Sequence, residues 1–186
     1  MRERLLRATV DTLFELGYSR TTTVEIARRA GVSRGAQLHH FPTKQSLVVE
    51  AIAYLTQKRH EAFRADISAI SPSESRTDAA IEIAWRGYTS PLFFAWLEVR
   101  IASRTDEVLR KELERAAPQH LSAFEEDLTS VLSTVPFGGE EARPLVTAFV
   151  LAVFNGSGLL QLSDSDGTRS KAAIETLKLL AKSFGR

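Results

Sequence analysis

The chain lacks cysteine altogether and holds one methionine among its 186 residues. No disulfide framework and no thiolate chemistry can operate, and a zinc site would have to rely on the four histidines and on carboxylates. The only paired histidines, His39 and His40, are adjacent, so on a helix they project about 100 degrees apart. No acidic cluster stands beside them, and no metal is expected. Phosphate-cradling glycine loops, a nucleophile elbow and an HExxH run are all missing, so no catalytic residue and no cofactor are assigned. Between Arg143 and Asp164 lie twenty uncharged residues, on paper enough to cross a bilayer. Pro144, Thr147, Asn155, Gly156, Ser157, Gly158 and Gln161 interrupt them and no basic cluster flanks them, which favours a helix buried between subunits over a membrane span. The opening Met1-Arg2-Glu3-Arg4 runs straight into an amphipathic pattern, without the apolar stretch of a secretory signal. Cytoplasmic location is the expectation.

Hydrophobic residues make up 44% and charged residues 25%, the balance of a folded globular chain. The net charge of +1 hides a division, because residues 1–60 carry 10 Lys and Arg against 5 Asp and Glu, whereas residues 61–186 carry 14 against 18. A basic front suits a polyanion, whose counterions Lys and Arg displace. A solvated surface would read the same way.

Apolar residues recur at helical spacing nearly throughout, and nothing alternates like a strand, so the fold class is all-α with about nine helices. The first is expected over about 2–16, with Leu6, Val10, Leu13 and Phe14 inward and Gly17 as the left-handed residue that ends it. Short helices follow near 23–30 and 34–40. Pro42 breaks the pattern, and Thr43 can cap a longer helix over about 43–67. Further helices are expected over 75–89, 91–103, 105–132, 140–162 and 168–184, with Pro118 kinking or interrupting the third of these.

The function-bearing run is Thr22-Thr23-Val24-Glu25-Ile26-Ala27-Arg28-Arg29-Ala30-Gly31-Val32-Ser33-Arg34-Gly35. Thr22 and Glu25 match a capping box, Gly31 marks a sharp turn that Val32 can plug, and Ser33 can cap a second short helix. Such a helix, set at a steep angle, fits the major groove and offers its first residues to base edges. Helical hairpins with a glycine turn also occur without nucleic acid, so spacing alone leaves both readings open.

Gly17 to Thr22, Ile26 to Gly35 and His39-His40-Phe41-Pro42-Thr43-Lys44 with Leu47 together resemble the amino-terminal domain of tetracycline-repressor (TetR) regulators, over residues 5–50. That resemblance implies a three-helix helix-turn-helix DNA-binding domain, here 1–45, and an effector-binding and dimerisation domain, here 46–186, connected by the helix 43–67. It implies phosphate contacts from Thr22, Thr43 and Lys44 and base contacts from Arg34 and Gln37. His40 and Phe41 would anchor the end of the recognition helix against the small domain's core, His40 being also a candidate phosphate donor and Phe41 a packing residue alone. Ser33 and His39 would lie at the groove margin, and Gly35 beside Arg34 belongs to the same DNA-facing set. The family usually has tyrosine where this chain has Leu38, so one phosphate contact is missing.

Residues 85–100 concentrate both tryptophans. Trp85, Tyr88, Phe93, Phe94, Trp96 and Arg100, with Asn155, are candidates to bind a small apolar or aromatic effector, Arg100 favouring a carboxylate. The same rings could simply fill a core. The uncharged helix and the last one, with its stripe Ala173, Ile174, Leu177, Leu180 and Ala181, resemble the family's contribution to a four-helix homodimer interface. The expected function is therefore a ligand-responsive regulator, a repressor on a palindromic double-stranded operator. The alternative is a helical small-molecule carrier or enzyme with a vestigial helix-turn-helix.

Overall fold

A computed structural model of the chain describes residues 1–71, 75–120, 141, 143–164 and 166–184. Among these the secondary structure is helical, in nine segments: α1 (Arg2–Arg20), α2 (Thr23–Ala30), α3 (Arg34–His40), α4 (Lys44–Ser68), α5 (Arg76–Tyr88), α6 (Pro91–Ala102), α7 (Glu107–His120), α8 (Arg143–Leu160) and α9 (Thr168–Phe184). The helix expected over 105–132 is described only as far as His120, and its backbone stays helical past Pro118 rather than stopping there. Residues 121–132, together with Pro72, Ser73, Pro136, Gly138 and Gly139, lie outside the described residues.

The chain divides into two compact units, Met1–Arg59 with Ser90–Ser122, and His60–Thr89 with Ala123–Arg186. In the first, α1 packs along α6 and against α2. Its centre is built from Leu5, Leu6, Leu13, Ile26 and Leu47, all fully buried, each worth on the order of 1.5–3 kcal/mol by burial. Val99 and Leu109 join that cluster from α6 and α7. Thr9 and Thr12 sit in the same interior, which they can do because their hydroxyls donate to the Leu5 and Ala8 carbonyls at 2.7 and 2.6 Å. Phe14 departs from expectation. It is 48% exposed, with its ring 6.0 Å from that of Phe94, because the inward stripe of α1 passes through Leu6, Val10 and Leu13 one position earlier.

Gly17 breaks the helix at φ +72°, ψ 167°, backbone geometry that is essentially reserved for glycine. The break frees the Tyr18 N–H, which donates to Glu98 Oε2 at 3.0 Å and so pins the end of α1 to α6. Gly31, at φ +62°, closes α2 in the left-handed conformation.

In the second unit α9 packs on α8 and α5, burying Ile174, Leu177 and Ala181. This corrects the assignment of Ile174, Leu177 and Ala181 to a subunit interface: these three side chains fill the unit's own core, while Leu180 of the same stripe stays exposed. Phe154 is fully buried, stacked on Tyr88 at 5.1 Å and Trp85 at 6.5 Å. Helix α8 runs unbroken through Gly156-Ser157-Gly158, with Gly156 outward and Ser157 inward. No helix among the described residues is long and apolar enough to cross a membrane.

Candidate functional site

Two short helices and a tight turn make the first site. Thr22 caps α2 by accepting from Glu25 N at 3.2 Å. The reciprocal half of the expected capping box is replaced, because Glu25 turns its carboxylate to Arg28 at 2.7 Å and Arg29 at 2.7 Å. These guanidinium donors hold its acidity at about 2, well below the ordinary carboxylate value. Arg29 also reaches Glu15 at 2.6 Å and ties α2 to α1. Ser33 caps α3, accepting from Ala36 N at 3.2 Å. Val32 is half-buried against the first unit's core, in the crease between α2 and α3.

The outer face of α3 is open. Ser33, Arg34, Gly35, Leu38, His39 and His40 are exposed, and a Cβ added at Gly35 would meet nothing within 4 Å. The rings of His39 and His40 meet edge to face at 5.5 Å, and His40 lies 6.2 Å from the buried Phe41. Gln37 is the correction on this helix. It is fully buried, and its Nε2 donates to the Phe41 carbonyl at 2.6 Å. It lies on the inward side of α3, where it closes the helix's own C-terminal end on the Phe41 carbonyl instead of facing outward.

Beyond α3, Thr43 and Ser46 cap α4 reciprocally: Ser46 N donates to Thr43 Oγ1 at 3.0 Å and Thr43 N to Ser46 Oγ at 3.3 Å. Lys44 is less free than its place at a helix start suggests. Its Nζ donates to the Tyr18 carbonyl at 2.6 Å and lies 3.8 Å from the Tyr18 ring centroid, and burial pushes its pKa down.

Lys44 belongs to a network that residue spacing does not reveal. The Tyr18 hydroxyl donates to Asp106 Oδ2 at 2.8 Å, and Gln45 Nε2 reaches the same oxygen at 3.2 Å. The other oxygen, Oδ1, caps α7 by accepting from Leu109 N at 2.9 Å. These donors hold the Asp106 carboxyl below its ordinary range, the Leu109 N–H contributing most, while burial drives the Tyr18 phenol upward. Thr105-Asp106-Glu107 is recognisable in sequence as a helix start; a partner 88 positions earlier is not.

The second site is a cavity of about 370 Å³ within the first unit, among α4, α6 and α7. Val49, Ile52, Ala53, Trp96 and Leu113 form its apolar wall, with Arg100, Arg104, Arg110 and Glu114 around it. Of the effector candidates, Trp96 and Arg100 line this space, and the Arg100 guanidinium carbon lies 5.4 Å from the Trp96 ring centroid. Phe93 is buried behind Trp96, stacked at 5.9 Å, and Phe94 packs on Phe14. Trp85, Tyr88 and Asn155 belong to the second unit. There the two rings stack on Phe154, and Asn155 Nδ2 donates to Leu151 O in its own helix at 2.7 Å.

A capped pair of short helices joined by a left-handed glycine, with an open second helix carrying arginine, is the arrangement of helix-turn-helix proteins. Residues 5–51 match the model for "Bacterial regulatory proteins, tetR family". An HTH-type transcriptional regulator of Mycobacterium tuberculosis is 30% identical over 161 residues, spanning 85% of this chain and 80% of that protein. CymR of Pseudomonas putida, also an HTH-type transcriptional regulator, is 27% identical over 143 residues, spanning 77% and 70%. Among solved structures, a transcriptional regulator of Rhodococcus sp. RHA1 aligns with TM-score 0.72 at 22% identity, covering 99% of this chain and 95% of that one. A regulator of Saccharomonospora viridis, solved with choline, gives TM-score 0.72 at 19% identity over 97% and 95%. The chain belongs to the tetR family of bacterial regulatory proteins, and is a transcriptional regulator of that family.

Proposed function

We propose that the chain is a ligand-responsive repressor that holds a palindromic operator as a homodimer and releases it when a small apolar or aromatic effector enters the cavity beside Trp96. The observation that carries this reading is the open face of α3, where Arg34 is exposed at the first helical turn while Gln37 and Phe41 anchor the helix from behind. Arg34 then pairs with guanine, with Ser33 and His39 at the groove margin and Gly35 leaving room for close approach. Thr22, Thr43, His40 and the remaining donors of Lys44 hold phosphates, helped by the positive ends of α2 and α4. DNA binding is confined to residues 1–45, and effector binding and dimerisation to residues 46–186. The protein acts in the cytoplasm on chromosomal DNA.

Dimerisation is supported by a second open face. On α8, Leu145, Phe149, Ala152, Gly156 and Leu159 are all exposed, and their spacing of four and three is that of a helix seam. Leu179 and Leu180 on α9 are exposed as well. A second copy packed there would form a four-helix interface, and a palindromic operator would require the two α3 helices of such a dimer one DNA turn, roughly 34 Å, apart. Coupling runs through the α6–α7 corner, where Arg104 lines the cavity and Asp106 holds Tyr18 and Gln45.

The test begins with selecting bound DNA from a random pool. On the selected operator, Arg34→Ala is expected to weaken binding by about 1–3 kcal/mol per half-site and relax base preference at one position. Lys44→Ala should weaken all sequences alike and lower the salt slope by about 1. Unchanged affinity in Arg34→Ala sinks the reading. Effector and operator must also weaken each other by the same factor.

A further inference from the structure

The lining of the cavity among α4, α6 and α7 holds more charge than an apolar ligand needs. Three arginines stand around it against one glutamate. Arg110 is neutralised there, its Nη1 donating to Glu114 at 2.8 Å. Among the described residues neither Arg100 nor Arg104 meets a carboxylate. The two stand four residues apart at the end of α6 and in the turn that follows, and both residues line the same space. Arg100 is steadied beside Trp96, an arrangement that limits how far its fork of donors can wander.

Arg100 and Arg104 are solvent-exposed at the edge of one apolar cavity, and an anion seated there can accept from the N–H donors of both. Ile52, Ala53, Leu113 and the Trp96 ring offer the body of such an anion van der Waals contact and dehydration, with Thr56 and Ser103 adding hydroxyl-bearing residues to the lining. A volume of about 370 Å³ accommodates a small organic molecule. We propose that the cavity takes an amphipathic organic anion, with its hydrocarbon or aromatic body against Trp96, Ile52 and Leu113 and a single carboxylate, or a head of equivalent charge, on Arg100 and Arg104. The inference rests on reading this cavity as the effector site, and names the chemical class that the site selects.

The test uses the full chain at fixed ionic strength, with calorimetric titration of octanoate and 2-naphthoate beside their uncharged amides and the corresponding primary amines. At least one acid is expected to bind tenfold or more tightly than its amide, and the amines not to bind. Arg100→Gln and Arg104→Gln should each lower acid affinity fivefold or more and leave amide affinity within twofold, with Arg100→Lys recovering part of the loss. Amides equal to acids, amines preferred, acid preference surviving both glutamine substitutions, or no saturation by either acid in the low millimolar range would overturn the proposal. The comparison of acid with amide is made on the unmodified protein, so an unstable variant does not decide it. Anisotropy of labelled operator separates this idea from its foundation. If an amide binds as well as its acid and releases DNA, the cavity is the effector site and the anion preference is wrong. Arginine-dependent acid binding without any change in DNA affinity upholds the anion site and removes its role as effector site.

Discussion

The outer face of α3 and the outer faces of α8 and α9 are comparably exposed, yet they are chemically opposite. On α3 the exposed positions are Arg34, Gly35, His39 and His40 around a single apolar side chain, Leu38; on α8 and α9 they include Leu145 at 73%, Phe149 at 52% and Leu179 at 64%. Cationic and hydrogen-bonding groups retain their hydration until they meet phosphates and base edges, so the first face can remain open without cost. A row of leucine and phenylalanine spaced as a helix seam has no such excuse, because burying it against another protein surface is favourable by roughly 25 cal/mol per Å². One kind of exposure points to nucleic acid and the other to a second chain.

The largest effect that could break this comparison comes from placing a charge in the apolar face. Phe149→Asp points into solvent in the single chain, so the fold should survive. In a dimer it would bury an unpaired carboxylate, at about 3–5 kcal/mol. Sedimentation should show a folded monomer, and operator affinity should fall at least a hundredfold with Arg34 untouched. A variant that remains dimeric would move the interface elsewhere.

A smaller effect separates the two regions by pH. In the second unit Asp164 Oδ2 accepts from the Ser170 N–H at 2.9 Å and its hydroxyl at 2.8 Å, and these bonds hold its pKa at about 2. In the first unit Glu25 is held at about 2 by Arg28 and Arg29. Both carboxylates take up protons more readily in the unfolded chain. The stability they lend is therefore complete above their ordinary values, 3.8 and 4.5, and disappears as pH falls towards 2. Thermal melts from pH 6 to 2.5 should lose less stability in Asp164→Asn than in the parent. Raising the salt should blunt the half-buried Glu25 ion pairs more than the hydrogen bonds of the buried Asp164, whose ion contact, Arg169, stands at 3.6 Å. Equal salt sensitivity of both would show that Asp164 acts as a plain surface charge.

What the residues announce and what they conceal follows the range of the interactions. Helix boundaries are local matters of caps and breakers, and Gly31, Ser33, Thr43 and Pro91 mark them to within a residue or two, whereas Gly17 breaks α1 three residues before its end at Arg20. Which face of a helix meets which neighbour is not local. The stripe Ile174, Leu177 and Ala181 is visibly apolar, but nothing in its periodicity distinguishes the core of its own unit from a partner chain. The effector candidates illustrate the same limit. Residues 85–100 look like one aromatic cluster, yet a turn at Thr89 and Ser90 sends Trp85 and Tyr88 to one unit and Trp96 and Arg100 to the other. Val49, Ile52 and Leu113, which complete the cavity, carry no mark in the sequence beyond being apolar.

Gln37 gives the smallest expected effect, and it tests how far the open face of α3 extends. Its Nε2 donates to the Phe41 carbonyl while its Oε1 is buried with no hydrogen-bond partner among the described residues. Gln37→Leu deletes both groups. Losing the bond leaves the buried Phe41 carbonyl without this donor, at about 1–3 kcal/mol, and removing an unsatisfied buried oxygen returns about 1–3 kcal/mol. The unfolding free energy from urea titration should therefore change by no more than about 2 kcal/mol in either direction. Operator affinity should stay within twofold and base preference should not change, because the side chain faces away from the outer surface of the helix. A tenfold loss of affinity with unchanged stability would mean that Gln37 swings outward on the duplex, and the boundary of the DNA-reading surface would then have to be redrawn to include it.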